Sequence, residues 1–496
     1  MTFEITKLTR SDLMKLDKEE LIDMLLLAFT IMEQQSATIC ELTEEISRLN
    51  DKISELENRL NQTSKTSSRP PSTDGFKKVV KRRKSSDKKP GSQNGHKGHG
   101  LKISGPPTAI IEHKPPRCSD CLHETDCKAP RMVSHRRYEI DIEIQTSLTE
   151  HRQIRVQCPK TNEIYTGEFP IGITSTCQYG PNVNALAVSL NTVGAVSFNR
   201  IHTILSGVYG ISLSPGTITT MVKKCANAVS KAISQIKDAV IDSSLLHCDE
   251  TGVRVGGKTV WTHVASTEDL TYLCIHEKRG KIGMDAAGVL PSYHGTAIHD
   301  CYASYTKYED MRHGLCGAHL LRELEDVVVN GKQEWAQEMK DLLLEMNKTK
   351  DELISQEIYE APNEVWSTYC KKYDDIVKKA QAQNPVPEKI PNKRGRPKKG
   401  KGGALVHRLE LRKDQWLLFF TDFSVPFTNN QAERDIRHLK VKGKVSGCFR
   451  TWEGAQQFAD ILSYIGTVRK QNQSEFIELR NAILGRPFYV ITRATE

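Results

Sequence analysis

The chain has no hydrophobic run long enough to cross a bilayer. Its longest, Met24 to Met32, is broken by Thr30 and falls far short of the ~20 apolar residues a spanning helix needs. The opening residues, Met1-Thr-Phe-Glu-Ile-Thr6, lack the basic-then-apolar order of a secretion leader. Cysteines are scattered and mostly single, 13 in 496 residues, at no spacing that would make a disulfide framework. These absences speak against a membrane-spanning or a disulfide-stapled secreted protein, and lead to the expectation of a reducing, cytoplasmic (nucleoid-associated) compartment. Proline and glycine are missing before Pro70, so nothing there interrupts a helix. Net charge is also missing outside one segment. Residues 69 to 102 hold eleven Lys/Arg against two Asp, which accounts for the whole formal +9. A concentrated cationic segment on an otherwise neutral chain suits a polyanionic partner, nucleic acid first.

What is present falls into several domains, as the length allows. Residues 11–62 read as helix. Ile39, Leu42, Ile46, Leu49, Ile53, Leu56 and Leu60 alternate spacings of three and four, an a/d heptad seam. Such a seam joins copies of the chain into a homodimer or higher oligomer, or packs on its own protein. Residues 63–108 read as a basic, flexible linker rich in Ser, Pro, Lys and Gly. Its Lys81-Arg82-Arg83-Lys84 run suits phosphates without sequence preference. The Gly-His-Lys-Gly-His-Gly stretch at 95–100 carries no evident chemistry.

Residues 109–175 are expected to form a small β-rich, zinc-finger-like domain. Tyr138 to Thr146 alternates like a strand, and Gln153 to Cys158 is a second. Cys118-Ser-Asp-Cys121 is half of a tetrahedral zinc set, and Cys158 would be a third ligand. Thr161 stands where a fourth thiolate would complete a second pair, leaving Cys127, His123 or His135 as alternatives. Residues 178–240 read as a helical DNA-binding or packing region. Pro181 opens one helix, and Ser214-Pro215 gives an N-cap followed by Pro at the first helical position.

From 243 the pattern changes to strands. Ser244–Cys248, Thr259–Ala265, Leu270–His276 and Gly295–His299 are expected strands, with a short helix over Met284–Leu290 before the last. Asp249 follows the first strand and Asp300 the fourth. If those two strands are neighbours, as in an RNase H-like sheet, carboxylates far apart in sequence face each other. That arrangement suits phosphodiester chemistry. Two divalent ions, Mg²⁺ or Mn²⁺, about 3.5–4 Å apart activate a water and stabilise the leaving oxygen, and both are held by hard oxygen ligands. A third carboxylate is expected from a helix opened by Asn429 or Asn430, which puts Glu433 in its first turn. Asp435, two residues on, projects about 200° away around the axis.

These segments resemble the transposases of the insertion-sequence sixty-six family. The resemblance rests on His247-Cys-Asp-Glu-Thr-Gly252, Ile298-His-Asp-Cys-Tyr-Ala-Ser-Tyr305, Cys316-Gly-Ala-His319, Thr428-Asn-Asn-Gln-Ala-Glu-Arg434 and Lys444-Val-Ser-Gly-Cys-Phe-Arg450. It implies a multidomain α/β protein with an RNase H-like mixed-sheet catalytic core over 241–315 and 420–485. It also implies that Asp249, Asp300 and Glu433 bind metal in DNA strand cleavage and strand transfer at the ends of a mobile element. The family's four-cysteine zinc segment is matched here only at Cys118, Cys121 and Cys158. Residues 316–419 read as a helical insertion with an AT-hook-like loop at 392–403, where Arg394 and Arg396 suit a narrow minor groove. Cys316 and His319 suit packing or DNA positioning. Arg434, Arg437, Lys440, Lys444 and Arg450 are expected to hold phosphates beside the acids. A catalytically inactive, domesticated DNA-binding protein is the alternative, and a nuclease without strand transfer is another.

Overall fold

Segments rich in Val, Thr and aromatic residues build one mixed five-stranded sheet. Its strands are β3 (Leu245–Val255), β4 (Lys258–Ser266), β5 (Thr271–His276), β6 (Thr296–His299) and β7 (Arg312–Leu315), in the order β5-β4-β3-β6-β7. Strands β5, β4 and β3 are antiparallel neighbours. Gly256 and Gly257, at φ 54° and 81°, turn β3 into β4; two successive positive φ values suit a tight hairpin and favour glycine. Strands β3, β6 and β7 are parallel, with Leu245 opposite Thr296 and His247 opposite Ile298. The first and fourth strands of the sheet therefore lie side by side. Strand β3 runs on well past Cys248, where the alternation alone would have ended it. Asp249 lies within it, just where its pairing with β6 stops.

This computed structural model describes residues 10–60 and 105–490, save 114, 116–117, 119–131, 143, 171 and 387–398. The chain divides into residues 1–74 with 150–496, and residues 75–149 as a second unit. Among the described residues of the second unit there is no strand. Tyr138–Thr146 was expected to be one, but Tyr138, Ile140 and Ile142 are 52%, 68% and 80% exposed. Alternation yields a strand only where one face finds something to cover it. In the larger unit, β1 (Arg155–Gln157) and β2 (Ile164–Thr166) form a short antiparallel hairpin. Glu150 onward falls in this larger unit.

At the N-terminus, α1 (Arg10–Leu13) precedes α2 (Lys18–Leu60). Ile39, Leu42, Ile46, Leu49, Ile53 and Leu56 are each about half exposed or more, so the heptad stripe is left open. Three helices then precede the sheet, α3 (Pro181–Thr192), α4 (Phe198–Tyr209) and α5 (Pro215–Ile241). The Ser214 hydroxyl accepts from the Thr217 N–H at 3.0 Å and caps α5. Helix α6 (Lys281–Ala287) lies between β5 and β6.

After β7 come α7 (Gly317–Val329), α8 (Glu334–Ser355), α9 (Asn363–Gln383), α10 (Lys401–Leu411) and α11 (Lys413–Thr421). Leu320, Leu324, Trp335, Met339, Phe419 and Phe420 give this insertion its own core, which reaches the sheet through Ile298 and Leu315. The chain then returns to the sheet with α12 (Asn430–Ser446), α13 (Trp452–Lys470) and α14 (Glu475–Ile483). Helix α12 packs on β3 and β4, and α13 packs on β5 and α5. A second core, including Ile201, Ile218, Val264, Leu273, Ile436 and Phe458, joins these helices to α3–α5. No described helix is long and apolar enough to cross a membrane.

Candidate active site

Asp249 enters the site from β3 and Asp300 from the residue after β6. Oxygens of Asp249, Glu250 and Asp300 all lie within 4.8 Å of one another, and among the described residues no other His, Cys, Asp or Glu set is gathered this way. Successive strand residues point to opposite faces, so Asp249 and Glu250 would not share a neighbour inside a sheet. Asp300 sits off the end of β6, where side chains of both parities can approach it. Sequence reasoning missed Glu250 because alternation argues against it. The signal was an acid standing directly beside Asp249.

The cluster is electrostatically costly as it stands. Both Glu250 carboxylate oxygens are buried without a hydrogen bond. Burial, then the charge of Asp300, pushes the Glu250 carboxyl up to about 8. Burial, then Asp300 again, pushes Asp249 up to about 6, although the Glu250 N–H donates to Asp249 Oδ1 at 2.8 Å. Asp300 Oδ1 accepts from the Tyr302 N–H at 3.0 Å. Among the cations facing the group, Arg279 lies 3.7 Å from Glu250 and 3.7 Å from Asp300. Its guanidinium rests on the rings of Trp261 and Tyr302, 5.0 Å and 4.3 Å from their centroids. Such contacts hold a guanidinium without neutralising it.

Asp300 is held from behind by two neutral imidazoles. The Cys301 N–H donates to His299 Nδ1 at 3.3 Å, so His299 carries its proton on Nε2 and donates to His313 Nδ1 at 3.0 Å. His313 Nε2 then donates to the Tyr308 carbonyl at 3.0 Å. Burial, with each ring's like charge beside the other, keeps His299 well below its ordinary pKa. Cys301 itself adopts φ 68°, a strained conformation for a non-glycine residue.

Glu433 arrives on α12, outside the 4.8 Å set. The start of this helix is held by Asn429. This residue occupies the N-cap position without a side-chain cap bond, contrary to the expected capping role. Its Nδ2 donates instead to the Cys248 carbonyl at 2.7 Å, and its Oδ1 accepts from His247 Nδ1 at 2.9 Å. Its backbone N–H meets Cys316 Sγ at 3.2 Å. The start of α12 is thus fastened to the residue before Asp249, and the Glu433 charge is felt at Asp249. Asp435 takes no part, because it pairs with Lys470 at 2.7 Å, on the far side of the helix from the acids. Gly317 permits the close approach behind this joint: a Cβ there would collide with the Phe427 ring.

Cys316 and His319 go separate ways rather than acting as a pair. The Cys316 thiol is engaged by Asn429. His319 turns its Nδ1 to within 4.0 Å of Glu433 Oε1, and neither atom has a hydrogen-bond partner. Burial, then Arg322, holds this imidazole below its ordinary pKa.

The expected cations divide into three groups. Arg434, Arg437, Lys440 and Lys444 are exposed along α12, and the Lys440 charge is felt at Asp249. Arg450 is not beside the acids. The adjoining Phe449 N–H donates to the Arg254 carbonyl, and the Gly256 N–H to the Phe449 carbonyl. That fixes Arg450 near the far end of β3, about 20 Å from Asp249 at the strand rise per residue. Lys81, Arg82, Arg83, Lys84, Arg394 and Arg396 lie outside the described residues. So does Cys121, while Cys118 and Cys158 are free thiols.

A mixed five-stranded sheet with carboxylates gathered beside it and a cationic helix alongside is consistent with a transposase-like fold. The family model described as the Transposase IS66 family matches residues 176–457, and the chain belongs to that family. A model described as a family of unknown function (DUF6444) matches residues 13–102. No curated protein matches the chain.

Proposed function

We propose that the chain catalyses metal-dependent DNA strand cleavage and strand transfer at the ends of its own mobile element, on an RNase H-like core. The observation that carries this reading is the convergence of Asp249, Glu250 and Asp300 oxygens within 4.8 Å, in a chain of transposase descent. The residues fit divalent cations. Three carboxylates crowd together, two buried oxygens lack a hydrogen bond, and the donor set is all oxygen, which suits Mg²⁺ or Mn²⁺. Asp249, Asp300 and Glu433 would hold two ions, with Glu250 adding charge behind them. Such a pair supplies an activated nucleophile and stabilises the leaving oxygen during in-line displacement at phosphorus.

The chain's own groups do the rest. Asn429 keeps Glu433 in register with β3. The His299–His313 pair holds the turn that carries Asp300. Arg434, Arg437, Lys440 and Lys444 line α12 leading away from the acids and would position DNA phosphates without reading bases. The exposed α2 stripe supports pairing with a second copy, as an assembled transposase requires.

The test uses Asp249→Asn, Asp300→Asn and Glu433→Gln, assayed with Mn²⁺ on duplexes carrying the element's ends. Each should abolish nicking and joining while binding in EDTA persists. Undiminished nicking by any of the three would refute its assigned role. Products joined to target DNA separate a transposase from a simple nuclease.

A further inference from the structure

From Phe169 through Lys237 the chain contains no Asp or Glu, although it has 61 acids in 496 residues. At that average density the stretch would hold about eight. The same residues carry Arg200, Lys223, Lys224, Lys231 and Lys237. A solvated helix face ordinarily mixes both signs, so the absence of acids is a feature in itself.

The fold turns this bias into a surface. On α5 the apolar face is consumed by the core through Ile218, Met221, Val222, Cys225 and Val229. The opposite face is exposed at Thr219, Thr220, Lys223, Lys224, Asn227 and Lys231. Short hydrogen-bonding side chains thus alternate with lysines along about 20 Å of helix, and the first acid appears only at Asp238. The turn into this helix is rigid. His202 Nδ1 donates to the Leu213 carbonyl at 2.6 Å, and the Tyr179 hydroxyl donates to the Ser212 carbonyl at 3.0 Å.

The acid-free segment also touches the cationic helix of the active site, through the α3–α4 turn that precedes α5. Buried Lys442, on α12, donates to the Asn191 and Val196 carbonyls at 3.3 Å and 2.8 Å. These carbonyls bracket the α3–α4 turn, so that turn of the acid-free segment is docked on α12 at Lys442. We propose that the exposed face of α5 is a second DNA-binding surface, one that grips the phosphate backbone of duplex DNA continuing past the reacting strand. The choice of DNA rests on the transposase reading above; the charge pattern specifies a polyanion.

The experiment measures binding of the full chain to a fluorescein-labelled, mixed-sequence DNA duplex by anisotropy in EDTA, as a function of salt. Each phosphate contact contributes about 0.9 to the log–log salt slope. Lys223→Gln/Lys224→Gln/Lys231→Gln should lower the slope by about 1 to 3 and weaken binding at physiological salt. The corresponding triple Arg variant should restore both, which separates lost charge from lost fold. Lys348→Gln/Lys371→Gln/Lys378→Gln, on the insertion, should leave the slope unchanged. An unchanged slope in the α5 variant, or an equal fall in the insertion variant, overturns the proposal. Because no metal is present, its failure is distinct from that of the catalytic reading: a wild type that binds with this slope but never cleaves would sink only the latter.

Discussion

Replacing Glu250 by Gln should make the metal-free protein more stable. The side chain is fully buried, with 0% of it exposed, and neither oxygen is hydrogen bonded. Burial, then Asp300, raises its carboxyl from 4.5 to about 8. The folded state therefore keeps a proton that the unfolded chain has already released. Stability is full below about pH 4.5, declines as pH rises, and levels off above about 8. At about 1.4 kcal/mol per pH unit the ceiling on this loss is about 5 kcal/mol. Relaxation and water entry recover part of it, so about 2–3 kcal/mol is the expected scale. Gln keeps the shape and removes the charge. In EDTA at pH 8 its melting temperature should exceed wild type by roughly 2–4 °C for a unit of this size, and the gap should close toward pH 5. Mn²⁺ added at pH 8 should stabilise wild type more than the variant, because a cation relieves in one what the mutation has already relieved in the other. Thermal melts followed by circular dichroism across this range would decide it. Superimposable pH curves for the two proteins, with equal gains from Mn²⁺, would refute the reasoning.

Two further perturbations address how Glu433 is aimed. Lys470→Met strips Asp435 of its buried partner and should cost about 3–5 kcal/mol in urea unfolding; adding Asp435→Asn should recover part of this. If the single variant unfolds at the wild-type midpoint, the pair does not fix the helix. Asn429→Ala removes bonds to His247 and to the Cys248 carbonyl, at an expected cost of about 1–3 kcal/mol. Mn²⁺-dependent nicking should fall more than tenfold while far-ultraviolet circular dichroism stays unchanged, and full nicking by a destabilised variant would show that the joint does not serve the site.

Much of the sheet could be read from the chain. Four expected strands around Asp249 and Asp300 appear as β3, β4, β5 and β6, because alternating β-branched residues beside short turns leave little choice. Asp249 and Asp300 meet because parallel pairing of β3 with β6 follows from strand order. Three features were not legible. Tyr138–Thr146 alternates as well as any strand, but nothing in its own residues reveals whether a partner covers it. Arg450 is close to Glu433 in sequence, yet the length of α12 carries it to the other end of β3. Arg279 looks like any charged turn residue until Trp261 and Tyr302 close around it, contacts separated from it by tens of residues.

Helix α12 is tied to β3 twice, by Asn429 at Cys248 and by the Phe449 backbone at Arg254 and Gly256. A rod bolted at both ends to one strand can neither swing nor slide by a turn without unpairing that strand. Glu433 therefore travels with the sheet as a single rigid body, unlike a carboxylate mounted on a lid. With Glu433 as the proposed third acid, a switch that governs this centre would act on what is delivered to it, DNA or ions, rather than by withdrawing that acid.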